Sequence, residues 1–147
     1  MPSLNWWNEL LASIDAKDTA KFVSYLAPDG EFVFGNAPAA VGHAAVSAAV
    51  SGFFGTIERS EHRLLTTWEG PDSAACEGIV TYTRLDGSRL SLPFVDVFHF
   101  RGGKIGRYQI YIDVNPLFAA SAVTMPAIRS PCSEAGSIVQ VLELSSV

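Results

Sequence analysis

Basic residues are scarce: ten Lys and Arg stand against fifteen Asp and Glu in 147 residues, for a formal net charge of −5. The few cations are scattered and are not interleaved with aromatics, so a surface that tracks nucleic-acid phosphates is not expected. Cysteine is nearly missing. Cys76 and Cys132 are too few for a disulfide framework or a metal cluster, and a reducing, cytoplasmic setting is the expectation. His43, His62 and His99 lie far apart and share none of the usual ligand spacings, so neither a metal nor another cofactor is expected. No apolar run approaches the roughly 18 residues of a membrane span. The segment Met1–Glu9 also lacks the basic and apolar regions of a secretory signal.

What is present is a core. Apolar residues make up 48% of the chain and charged residues only 17%, which fits one folded domain of ordinary size. Asn5 followed by Trp6, Trp7, Leu10, Leu11 and Ile14 predicts a capped amphipathic helix. Asp18 predicts the cap of a second helix, with Phe22, Val23 and Leu26 on one stripe and Pro28-Asp29-Gly30 as its stop. Residues 31–35 read as a short strand. Gly42-His43 opens a third helix through Val46, Val50, Phe53 and Phe54, ending near Gly55.

From there the period changes to alternation. Strands are predicted at about 59–69, 74–84, 89–101 and 104–114, separated by Gly70-Pro71-Asp72, Asp86-Gly87 and Gly102-Gly103. Helices followed by an antiparallel meander predict an α+β fold with helices covering one face of a sheet. Residues 119–147 shift to small residues and Pro and read as a tail, in which Ser137–Leu142 is an added edge strand or a dimer contact.

The stretch Pro93-Phe94-Val95-Asp96-Val97-Phe98-His99-Phe100-Arg101-Gly102-Gly103-Lys104-Ile105 resembles the signature hairpin of the SnoaL-like and ketosteroid-isomerase-like branch of the NTF2-like superfamily. The resemblance takes in Ile14–Asp18, Pro28–Phe32, the Gly42 helix and Tyr111–Leu117, and spans roughly residues 5 to 118. It implies a cone: three N-terminal helices on a strongly curved antiparallel sheet around an internal pocket, often in a homodimer packed through the outer sheet face. The activities it implies are cofactor-free cyclisations, isomerisations, dehydrations and hydrolyses. Fold analogy leaves the reaction open.

Position by position, Asp96 matches the protonated acid in the oxyanion hole of ketosteroid isomerases, a carboxyl kept neutral by apolar surroundings. The general base of those enzymes falls on Phe34 and their oxyanion-hole tyrosine on or near Leu10. The Asp–Arg–Asp set of limonene-type epoxide hydrolases falls on Ile79, Glu77 and Ile110. Neither chemistry is carried over unchanged.

Alternation assigns faces. Leu92, Phe94 and Asp96 share one face, as do Tyr108, Ile110 and Ile112. The same alignment turns Glu77, Ile79 and Thr81 inward, and His62, Leu64, Thr66 and Trp68 share a face read as inward. The expected cavity is walled by Phe34, Phe53, Phe54, Ile79, Phe94, Ile110 and Ile112, with Tyr108 and Trp68 also against the ligand. Asp96, His62 and Glu77 are its candidate catalytic groups. A buried carboxyl there either rises in pKa and acts as an acid, or is held ionised by His62 as part of a base, or shares a proton with Glu77. The expected ligand is a compact apolar molecule such as a polyketide, terpenoid or steroid-like compound. A ligand-binding or dimerising module without chemistry is the alternative, favoured by Phe34 at the usual base position.

Overall fold

The computed structural model describes residues 6–119. Residues up to Leu117 fall in one compact unit. The Asn5 cap and, from residue 120 on, the tail with its Ser137–Leu142 strand lie outside the described residues.

The first helix, α1 (Trp6–Asp15), buries Trp6, Trp7, Leu10 and Leu11 and turns Asn8, Glu9 and Ala12 outward, as its spacing requires. Trp6 and Trp7 stack with ring centroids 4.1 Å apart, and Trp6 meets Phe98 edge-on at 5.0 Å. The indole Nε1–H of Trp7 donates to Glu69 at 3.1 Å, so burial leaves that donor satisfied. Asp18 caps α2 (Thr19–Ser24) by accepting the Lys21 backbone N–H at 3.1 Å.

The second helix stops earlier than its apolar stripe predicts. Leu26 already belongs to β1 (Leu26–Phe34), and Pro28-Asp29-Gly30 lies inside that strand. The pairing of β1 shifts register between Leu26 and Glu31. A proline without an N–H and a glycine tolerate such an irregularity; a Cβ on Gly30 would lie 2.9 Å from the Ile105 carbonyl oxygen. A two-residue strand, β2 (Ala40–Val41), pairs with β1 and has no counterpart in the sequence reading. Helix α3 (His43–Phe54) follows Gly42, whose φ of 89° favours glycine.

Four long strands complete the sheet: β3 (Ile57–Glu69), β4 (Ser73–Arg84), β5 (Arg89–Arg101) and β6 (Lys104–Tyr111). The turns at Asp86-Gly87 and Gly102-Gly103 hold all three glycines at positive φ, as hairpin reversals demand. The order across the sheet is β2-β1-β6-β5-β4-β3. The meander is antiparallel, whereas β1 runs parallel to β6. The third helix therefore lies between strands in the sequence, as part of the crossover from β1 back into the sheet. The helices cover one face of this curved, open sheet, and a single core joins them to its inner side chains. A four-residue helix, α4 (Asn115–Phe118), follows β6 and is held by the Arg84 guanidinium, which donates to the carbonyls of Pro116 and Leu117. Among the described residues no helix is long and apolar enough to cross a membrane.

Two local features set which side chains look inward. The first is a register shift in β3 between Leu64 and Thr66. The second is Gly78, where the Phe94 ring lies across the strand: a Cβ there would sit 2.8 Å from Phe94 Cζ and 2.5 Å from the Arg63 carbonyl oxygen. Gly78→Ala is expected to cost about 2 kcal/mol or more, because both neighbours must move and one is backbone. Urea unfolding checks this; a variant with the parent's midpoint would show that the sheet yields freely at that point.

Candidate functional site

A cavity of about 160 Å³ lies between the helices and the inner face of the sheet. Phe22, Phe32 and Phe34 form one wall, Val50, Phe53 and Phe54 of α3 another, and Ile110 of β6 a third. Ala37 and Pro38 from the turn after β1 and Ala40 of β2 complete it. Two polar side chains break the apolar lining: His62 from β3 and Tyr82 from β4.

His62 is held firmly. Its ring Nδ1 lies 2.6 Å from Asp15 Oδ1, and its backbone N–H donates to Asp15 Oδ2 at 3.0 Å. Ser60 Oγ donates to the same carboxylate at 2.8 Å. Asp15 is the last residue of α1, so the helix delivers its carboxylate to the edge of β3. With Nδ1–H directed to Asp15, Nε2 is the nitrogen left for a ligand. The imidazole edge also rests on Phe94, with centroids 5.4 Å apart.

Asp96 is buried on the inner face, between Cys76 of β4 and Ile110 of β6. Its Oδ2 accepts the Tyr108 hydroxyl at 2.9 Å and the Cys76 thiol at 3.8 Å. Its Oδ1 is sealed and has no partner among the described residues. Removal from water raises its pKa to about 7, while the Tyr108 hydrogen bond, the nearby His62 and the Cys76 thiol pull it down. Burial first, and then the neighbouring Asp96, push Cys76, Tyr82 and Tyr108 upward, so all three stay protonated.

The structure brings together Phe34, Phe53, Phe54, Ile110 and His62 at the cavity, but it moves several other expected residues. Asp96 and Tyr108 sit behind the cavity wall. Phe94 is inward and buried, yet it flanks His62 rather than lining the cavity. Glu77 is exposed and Ile79 faces the outer side, because β4 buries Cys76, Gly78, Val80 and Tyr82 instead. The proton-sharing pair of Glu77 and Asp96 is therefore excluded. Trp68 is 53% exposed: the shift at Leu64/Thr66 reverses the alternation of β3, so Trp68 pairs with outward Ala75. Ile112 lies beyond the end of β6, in a second, open groove of about 570 Å³ that Phe94, Glu77 and Asp113 also line. That groove is larger but leaves its two carboxylates in solvent, so it lacks the sheltered chemistry of the cavity.

Sequence reasoning missed Asp15 and Tyr82. Tyr82 follows Val80 by two residues, and a β4 register set by its own apolar alternation would have found it. Asp15 carries no local signal beyond its place at a helix end. Among the described residues no three His, Cys, Asp or Glu side chains converge for a metal ion.

The model of the SnoaL-like domain matches residues 7–108. No curated protein matches the sequence significantly. Among solved structures, an NTF2-like protein of unknown function from Burkholderia pseudomallei superposes with a TM-score of 0.70 at 19% identity, covering 79% of this chain and 95% of that one. A Pseudomonas putida protein named as a candidate polyketide cyclase gives 0.66 at 22% identity, covering 78% and 94%. A Catenulispora acidiphila protein with a ketosteroid isomerase-like fold, in complex with trimethylamine, gives 0.68 at 15% identity, covering 75% and 86%. With the family model spanning most of the folded unit and the same NTF2-like architecture in each of these structures, this chain belongs to the SnoaL-like family.

Proposed function

We propose that this protein is a cofactor-free acid–base enzyme of the isomerase, cyclase, dehydratase or hydrolase type, acting on a compact and largely apolar organic molecule. The observation that carries this reading is His62 on the wall of an apolar cavity with Nδ1 fixed by Asp15 at 2.6 Å. An imidazole so oriented offers Nε2 to a substrate proton, and the Asp15 carboxylate supports the imidazolium that forms. The names of the P. putida and C. acidiphila proteins fit a family that takes small organic ligands. The cavity volume argues for the small end of the substrate range, since drug-sized ligands occupy about 300–1,000 Å³. A homodimer through the outer sheet face is part of the same reading, supported by the exposure of Leu65 and Trp68 on β3.

Binding without chemistry is the second reading, favoured by Phe34 where related isomerases hold a base. Exchange of the α-protons of cyclohexanone in D2O, followed by proton NMR, separates the two. The enzyme should accelerate exchange over buffer, and His62→Gln should slow it at least tenfold, within the range of general-base effects. Asp15→Asn should slow it less. Saturable binding of cyclohexanone with exchange no faster than buffer would leave only the binding reading.

The buried carboxyl makes stability depend on pH. Folded Asp96 holds its proton up to about pH 7, whereas the exposed group releases it near 3.8. Between those values the folded state binds the extra proton. Its contribution is therefore full below about 3.8 and is lost as pH rises through 7. Asp96→Asn removes the titration. Relative to the variant, the parent should lose stability from pH 4.5 to pH 8, by no more than about 1.4 kcal/mol per pH unit. Urea unfolding at both pH values tests this, and a parent-to-variant difference that ignores pH would mean that Asp96 is ionised throughout.

A further inference from the structure

Tyr82 is the other polar group on the cavity, and the proton transfer assigned to His62 leaves it without a task. The residue is 3% exposed, and its ring packs edge-on against Phe53 at 5.7 Å. No group among the described residues hydrogen-bonds its hydroxyl. Burying a hydroxyl without a partner is costly, and a buried tyrosine ordinarily finds one. Asp96 does not serve: its Oδ2 accepts from Tyr108 and Cys76, and its sealed Oδ1 accepts from nothing among the described residues. Unlike Asp96, whose Oδ1 is sealed, Tyr82 lines the cavity. An acceptor brought by a ligand would complete it. Burial first, and then the neighbouring Asp96 and Asp15, keep the phenol protonated, so it serves as a donor.

The cavity limits what can bring that acceptor. A dry apolar hole of about 150 Å³ holds one benzene ring, and this one measures about 160 Å³. The aromatic faces and edges of Phe34, Phe53 and Phe54 suit a flat or chair-like ring. We propose that Tyr82 is the specificity-determining residue of the site, donating its hydroxyl hydrogen to the oxygen of a single-ring ketone-type ligand. This rests on the acid–base reading for the location of the site, but it concerns recognition and needs no turnover.

The test compares cyclohexanone with methylenecyclohexane, which has the same shape but carries CH2 in place of the acceptor oxygen. Dissociation constants come from NMR titration of the full chain. Tyr82→Phe should weaken cyclohexanone at least tenfold and leave methylenecyclohexane within twofold. His62→Gln should keep the preference for the ketone while losing α-proton exchange, which keeps the two proposals separate. An unchanged preference in Tyr82→Phe, or a preference lost in His62→Gln instead, would overturn the assignment. If Tyr82→Phe does not fold, the carbonyl stretch of cyclohexanone bound to the parent protein decides. A band lowered from its position in hexane supports the hydrogen bond, and an unshifted band overturns it.

Discussion

The carboxyl group of Asp96 has been taken out of water on the inner face of β5, and the surrounding structure is arranged around the cost of its charge. A lone carboxylate in such a place would need several kcal/mol of compensation. Here one oxygen receives two donors and the other receives none. The result is an acid poised near neutrality instead of one locked in either form. Burial first, and then the neighbouring Asp96, keep Cys76, Tyr82 and Tyr108 in their neutral states, while His62 draws the pKa of Asp96 down. The same burial that makes Asp96 costly therefore keeps the phenol of Tyr82 a donor.

The parts legible in the sequence were those set by local chemistry. Asp18 caps α2 because its side chain reaches the Lys21 N–H three residues on. The glycine-bearing reversals divide the meander where positive φ is required. Alternation along β5 and β6 turns Phe94, Asp96, Tyr108 and Ile110 inward, because the register shift of that pair, between His99 and Phe100, falls outside the stretches that carry them. The errors share a different cause. On β4 the family resemblance implies Glu77 and Ile79 inward, one residue out of step with the strand's own apolar alternation, which buries Cys76, Gly78 and Val80. Trp68 was lost to a register shift in β3 that composition does not announce. Asp15 and His62 are 47 residues apart, and only the docking of α1 onto β3 makes them partners.

That docking links the aromatic core to the acid–base pair. Trp6 and Trp7 stack at the start of α1 and meet Phe98, which lies two residues from Asp96 on the same inner face of β5. Phe98 in turn lies 4.3 Å from the ring of Tyr108, the residue that donates to Asp96. At the other end of α1, about 13 Å further along at 1.5 Å per residue, Asp15 receives Ser60 and His62. One rigid helix is thus pinned at its start by stacking against the strand that carries the buried acid. Its last residue is pinned by three hydrogen bonds to the strand that carries the imidazole. Because the helix cannot slide by a fraction of a turn without losing both sets of contacts, the spacing between Asp15 and His62 is set by core packing and not by the side chains alone. This is how a largely apolar cavity keeps an imidazole in one orientation.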